Sequence, residues 1–223
     1  MNNLGRFYTP EMLKQSADSR RAAAEKHAAD HMEHDPKCIP EDITTLDCHN
    51  WMDVPENLPK GLLNLYCWPQ FTLPDSLPSG LLRLNYNSDV RLPETLPDSI
   101  TRILCPRLST LPDHLPASLE VLMGGFLTLP KTLPSGLKMI IANKVTQLPE
   151  LPESIIQLRC LSVTDLPAVL PMNLERLSCG EVENWPDSFP PNLKMVSCYF
   201  TKGTKPTKPT NLPEHCKFTL HQH

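Results

Sequence analysis

The sequence predicts a solenoid, a fold in which one short unit stacks on the next, and three observations carry that reading. An apolar residue followed by proline recurs every 18 or 19 residues, at Ile39-Pro40, Leu58-Pro59, Leu77-Pro78, Leu96-Pro97, Leu115-Pro116, Leu133-Pro134, Leu151-Pro152, Leu170-Pro171 and Phe189-Pro190, with a further pair at Leu212-Pro213 after a longer gap. Each pair is followed at fixed distances by apolar positions of the form L-x-x-L-x-C. Most of the 25 prolines of the 223-residue chain sit at repeat-fixed positions beside leucines, and 40% hydrophobic content supplies a core, so proline is here a scaffold residue and not a mark of disorder. A unit this short cannot bury its apolar face alone and is stable only between neighbours.

Taken in chain order, residues 1–38 differ from the rest. Thr9, Pro10 and Glu11 combine an N-cap, a proline at the first helical position and an acid in the first turn. They predict an α-helix that runs to about Glu33 and is ended by Asp35-Pro36. Its apolar stripe, Leu13, Ala17, Ala24, Ala28 and Met32, is mostly small, so the helix must dock. It reads as a cap for the first unit or as a segment read by a partner or a secretion machine. Residues 39–223 form one repeat domain of about ten units.

Within each unit the L-x-x-L-x-C stretch predicts a short strand. Leu62, Leu65 and Cys67 would point into the core, and the alternate residues out of it. One strand per unit makes a parallel sheet on the concave face. Two residues after the proline stand Asp42, Gly61, Gly80, Ser99, Ser118, Gly136, Ser154, Asn173 or Asn192, turn formers that bend the chain into its strand. The return path carries paired Leu-Pro steps, such as Leu73-Pro74 and Leu77-Pro78, which forbid a helix and favour extended or polyproline backbone. Residues 201–211, with Thr-Lys-Pro twice, break the period and predict an exposed basic loop before a last, degenerate unit.

Composition narrows the function. A formal charge of −4 supplies no field to hold a polyanion, which argues against nucleic acid as a partner. Proline interrupts every apolar run, so no membrane span is expected. The N-terminus shows no apolar core followed by a small-residue cleavage site, so no cleaved signal peptide is expected and the chain should be soluble. Six of the eight cysteines share one repeat slot: Cys48, Cys67, Cys105, Cys160, Cys179 and Cys198, with Tyr86, Gly124, Ala142 and His221 filling it in the other units. A slot open to Cys, Ala and Gly is small and buried, so these are expected to be reduced core thiols in a reducing compartment.

The segment Leu92-Pro93-Glu94-Thr95-Leu96-Pro97-Asp98-Ser99-Ile100-Thr101-Arg102-Ile103 resembles the short leucine-rich repeats of Gram-negative pathogen effectors of the YopM and IpaH type. The FNIP repeats of amoebae and giant viruses are similar as well. The resemblance covers about 185 residues and implies a leucine-rich-repeat solenoid. It also implies an effector or virus-encoded protein, acting in host cytoplasm on host machinery. Two departures stand out. Where the bacterial repeats carry a ladder asparagine, this chain has Trp51, Leu108, Val145, Val163 and Val182, an apolar spine. The IpaH-type ligase domain is not expected, since the sequence stops at His223 just past the last repeat.

Solenoids bind along the concave sheet, so its outward columns are the candidate site. Five residues after each proline stand Arg83, Arg102, Val121, Met139, Gln157, Arg176, Met195 and Phe218 among others; seven after stand Leu104, Met123, Ile141, Arg159, Ser178, Ser197 and Leu220. Leu104, Val121, Met123, Met139 and Ile141 should form an apolar patch rimmed by Arg83 and Arg102 on one side and Arg159 and Arg176 on the other, the composition of a protein interface. The alternative to a partner site is that the helix of residues 1–38 or a second copy of the chain covers it. Glu56, Asp75, Glu94, Asp113, Glu150 and Asp187 make an acidic return edge, read as a solvated surface. His27, His31 and His34 share one face of the N-terminal helix, but no zinc-type spacing completes a metal set, and no metal or cofactor is expected. With no phosphate-cradling loop, no H-E-x-x-H and no G-x-S-x-G, no enzymatic activity is expected. The sequence therefore predicts a noncatalytic protein-interaction module. The alternatives are a structural component of a virion or other assembly and, less consistent with the residues, a cysteine-dependent enzyme or ligase fragment. Oligomeric state is left open.

Overall fold

A computed structural model of the chain describes residues 39–48, 54–67, 72–201 and 206–222. The helix expected in residues 1–38, with its histidines, and Trp51 lie outside the described residues. The described residues form a parallel-sheet solenoid. Its strands run β1 (Thr45–Asp47), β2 (Asn64–Cys67), β3 (Arg83–Tyr86), β4 (Arg102–Cys105), β5 (Val121–Gly124), β6 (Met139–Ala142), β7 (Gln157–Cys160), β8 (Arg176–Cys179), β9 (Met195–Phe200) and β10 (Lys217–Gln222). They pair in chain order, all parallel, in a single ten-stranded sheet.

The proline turn sets where each strand begins. In every unit from Pro59 to Pro213, the proline carbonyl accepts a hydrogen bond from the amide three residues on, as in Leu62 N to Pro59 O (3.1 Å), Leu119 N to Pro116 O (3.0 Å) and Cys216 N to Pro213 O (2.9 Å). Proline is tolerated at this first position because its missing N–H is not called on by the turn. The serines in these turns add ties between units: Ser99 Oγ donates to Leu81 O and Ser154 Oγ to Leu137 O, each at 2.7 Å.

Two successive amides then bond a single carbonyl of the preceding unit. Leu82 N and Arg83 N both donate to Leu63 O (2.8 and 3.0 Å), Lys138 N and Met139 N to Glu120 O (2.9 and 3.0 Å), and Lys194 N and Met195 N to Glu175 O (2.8 and 3.1 Å). This forked bond holds consecutive units in register, so identical repeat positions form columns. The central column, Leu65, Leu84, Ile103, Leu122, Ile140, Leu158, Leu177 and Val196, is fully buried. So is the column of turn leucines that includes Leu62, Leu81, Ile100 and Leu119. Each such side chain contributes roughly 1.5–3 kcal/mol by leaving water. The apolar spine is also in place, with Leu108, Val145, Val163 and Val182 all buried.

The last unit departs from the expected register. Lys217 pairs with Met195, Phe218 with Val196, Thr219 with Ser197, Leu220 with Cys198 and His221 with Tyr199. Phe218 and Leu220 therefore belong to inward columns and not to the outward ones. Leu220 takes the thiol slot, and His221 lies beyond it. The reason is a one-residue deletion at the start of the strand. Where every other unit spends two amides on the shared carbonyl, this one spends only Lys217 N on Lys194 O (2.9 Å), and the strand starts one residue sooner after its proline.

The thiol ladder is present. All seven cysteines among the described residues are free and buried. Cys179 and Cys198, in register on β8 and β9, have sulfurs 3.6 Å apart. A hydrogen bond to the Cys198 thiol, followed by burial, raises the Cys179 pKa, and Cys67 does the same for Cys48. Burial alone pushes Cys160 up to about 12; it also pushes Cys105 to about 12, against a backbone hydrogen bond at Tyr86 that lowers it. Tyr86 fills its slot with its phenol raised by burial and lowered in part by a hydrogen bond with Ser88.

Gly124 has a specific reason. A Cβ built there would stand 2.2 Å from the Phe126 ring and 2.7 Å from Cys105 O. Phe126, fully buried, folds its ring back into the space a side chain at 124 would occupy.

Three outcomes follow from this core. Gly124→Ala should cost roughly 2 kcal/mol or more, even though alanine is native in the same column at Ala142, because the ring and the carbonyl cannot both retreat. Cys179→Ala should cost about 1 kcal/mol or less, whereas Cys179→Asp should unfold the unit through an unpaired buried charge. Urea denaturation of the three variants checks both statements. Because Cys105 and Cys160 titrate near 12 when folded and near 9.0 when not, their stabilisation is complete below pH 9 and is lost as pH rises from there toward 12. Urea midpoints should thus fall steeply above about pH 9.5, and Cys160→Ala should fall less steeply than the parent.

Candidate functional site

The forked hydrogen bond that aligns the core also aligns the opposite face of the sheet. Arg83, Arg102, Val121, Met139, Gln157 and Arg176 are consecutive partners in one outward column, and Leu104, Met123, Ile141, Arg159 and Ser178 in the next. The nine predicted site residues are therefore brought together in the expected arrangement, an apolar band over β4–β6 between paired arginines on β3 and β4 and arginines on β7 and β8.

Exposure refines this picture. Leu104, Arg83, Arg102, Arg159 and Arg176 are half-buried, but Val121, Met123, Met139 and Ile141 are only 8, 7, 4 and 5% exposed. The band is thus not an open patch. Its side chains leave the sheet opposite the fully buried Leu122 and Ile140, yet β5 and β6 are buried at every position. The half-exposed arginines at its margins, not the methionines, are the accessible groups.

Arg83 and Arg102 stand side by side on neighbouring strands, about 4.8 Å apart in backbone spacing. Arg159 is held differently. Its Nε donates to Asn143 Oδ1 at 3.1 Å, and its guanidinium lies 5.0 Å from the centroid of the Tyr199 ring. Burial pulls its pKa below the usual arginine value, and Tyr199 partly restores it. Tyr199 in turn stacks on His221 at 4.8 Å, and His221 Nε2 lies 3.2 Å from Thr219 Oγ1, itself 2.9 Å from Ser197 Oγ. Small Ser178 and Ser197 between these strands leave room for the arginine to reach across to the tyrosine.

Tyr199 and His221 were not among the sequence-predicted residues. The available signal was the extra apolar and aromatic length after Cys198, which continues β9 beyond the four residues usual for this sheet. Beside this cluster, Leu161, Val163, Glu181, Tyr199 and Thr201 help to line an open groove of about 300 Å³. Glu181 Oε1 accepts from both the amide and the hydroxyl of Thr201, each at 2.8 Å. Among the described residues no three of His, Cys, Asp and Glu cluster to hold a metal ion, and no helix is long and apolar enough to cross a membrane. The acidic return edge is exposed at each of its six predicted positions.

The fold is that of leucine-rich-repeat proteins. Among solved structures the chain is similar to YopM from Yersinia enterocolitica WA-314 (TM-score 0.55, 20% identity, 83% of this chain and 52% of that one). It is also similar to CroV588, described as a circular leucine-rich-repeat protein (TM-score 0.60, 23% identity, 82% and 32%). A Shigella effector leucine-rich-repeat domain aligns at TM-score 0.48 and 20% identity over 92% of this chain and 97% of that one. The chain spans about half the length of YopM and a third of CroV588. The sequence matches no protein-family profile and no curated protein.

Proposed function

We propose that the chain is a noncatalytic protein-interaction module that holds a protein partner against the outward face of its sheet. The observation that carries this reading is the register itself, which assembles Leu104, Val121, Met123, Met139 and Ile141 into one band with Arg83, Arg102, Arg159 and Arg176 along its two sides. The band serves as a rigid floor. The half-exposed arginines supply the contact and favour a partner with an acidic surface. Seven free, buried thiols support a reducing compartment, and the repeat pattern shared with pathogen effectors supports a host protein as the partner and host cytoplasm as the place.

Affinity capture from host-cell lysate, with the partner identified by mass spectrometry, tests the proposal. Arg102→Glu combined with Arg176→Glu should fold as the parent does, since both side chains are half-exposed, and should weaken capture of that partner about tenfold or more, with the loss concentrated in the association rate and reduced by salt. A folded double variant that captures the same partner at parental strength would place the binding surface elsewhere.

A further inference from the structure

The outward column that carries Leu104, Met123, Ile141 and Arg159 becomes small on the next three strands, where Ser178, Ser197 and Thr219 stand in register. A furrow floored by hydroxyls therefore crosses β8, β9 and β10. Arg176 and Lys217 border it on one side and Tyr199 and His221 on the other, each about 6.6 Å along its strand from the floor. Arg159 heads the furrow from β7, its guanidinium carried over the Tyr199 ring and its Nε held by Asn143. Its charge is thus fixed in place before any ligand arrives.

Ser178 is the unusual member of the floor. It is only 7% exposed, yet its hydroxyl makes no hydrogen bond among the described residues, whereas Ser197 Oγ lies 2.9 Å from Thr219 Oγ1. Buried hydroxyls are normally bonded. No fully enclosed side-chain nitrogen or oxygen goes unpaired among the described residues, so Ser178 Oγ keeps an opening, and its place in the outward column turns that opening to the furrow. Arg176, two residues before it on the same face, forms no ion pair among the described residues; the acid beside it, Glu175, bonds Lys194 at 2.7 Å instead. The chain thus leaves one cation and one buried donor of this furrow unmet.

Given a protein partner on this face, as proposed above, we infer that the furrow takes a phosphorylated side chain of that partner, with Ser178 Oγ, Arg176 and Arg159 donating to its phosphoryl oxygens. A phosphoryl group carries nearly two negative charges at neutral pH and three terminal acceptor oxygens. Its donors here approach from three directions, Ser178 from the floor, Arg176 from one side and Arg159 from the head. A carboxylate has two coplanar oxygens and one charge, and leaves part of this set unmet. The anion also offsets the burial that lowers the Arg159 pKa.

NMR titration of the full chain with methyl phosphate at constant ionic strength should move the Ser178 amide and the Arg159 and Arg176 Nε–H signals along one saturable curve in the millimolar range. Acetate under the same conditions should bind about tenfold more weakly. Arg176→Gln and Ser178→Ala should melt near the parent and weaken methyl phosphate about tenfold and about threefold, respectively. No saturable shift up to ~50 mM, acetate binding equal to that of methyl phosphate, or undiminished binding in either variant overturns the inference. Capture from phosphatase-treated lysate separates it from the broader reading, because a partner found in untreated lysate should then be lost. A partner that survives dephosphorylation but is lost with the Arg102→Glu, Arg176→Glu double variant overturns the phosphoryl site and leaves the interaction surface standing.

Discussion

One carbonyl accepting two successive amides at the start of each strand from β2 to β9 is the bond on which the rest of this protein depends. It is what turns a sequence period into a spatial one. A slip by one residue would carry every leucine of that strand to the opposite face of the sheet, and the forked bond, anchored by the proline turn three residues earlier, leaves no room for the slip. Core column, thiol ladder, apolar band and paired arginines are all consequences of the same alignment. The last unit shows the dependence directly: with one amide fewer at the fork, every column assignment after it moves by one position.

The thiol ladder illustrates how much of this core is decided by size and how little by chemistry. Cysteine, alanine, glycine and tyrosine all occupy the same column, each with a local accommodation. Tyr86 brings Ser88 to its phenol, and Gly124 makes space for Phe126. Cys179 hydrogen-bonds with Cys198 and Cys48 with Cys67, which together with burial favours the protonated thiol.

Periodicity made the repeat domain legible before any coordinates. The inward and outward faces of β2 to β9, the buried spine and the lateral order of the nine candidate residues all follow from counting forward from each proline. The count failed where its assumption of constant unit length failed, in β10, because a deletion of one residue leaves no mark in a degenerate sequence such as Lys217–Gln222. Occlusion was also hidden: a column pattern says which way Met123 and Ile141 point but not that only 7 and 5% of them remain exposed. The Arg159–Tyr199–His221 cluster could not be read either, since it joins strands whose repeat positions differ and depends on two small serines between them.

The Phe126 plug has a consequence for inheritance. Arrays of this kind grow and shrink by duplication and loss of whole units, and most positions here are interchangeable because each makes the same contacts in every turn. The unit that holds Gly124 is an exception that carries its own remedy, since the ring filling the vacancy lies two residues downstream in the same turn. Such a turn can be copied or moved as a block, whereas a crossover falling between positions 124 and 126 would produce either a void or a clash. Descent should therefore keep these two positions together even while the outward columns around them diverge.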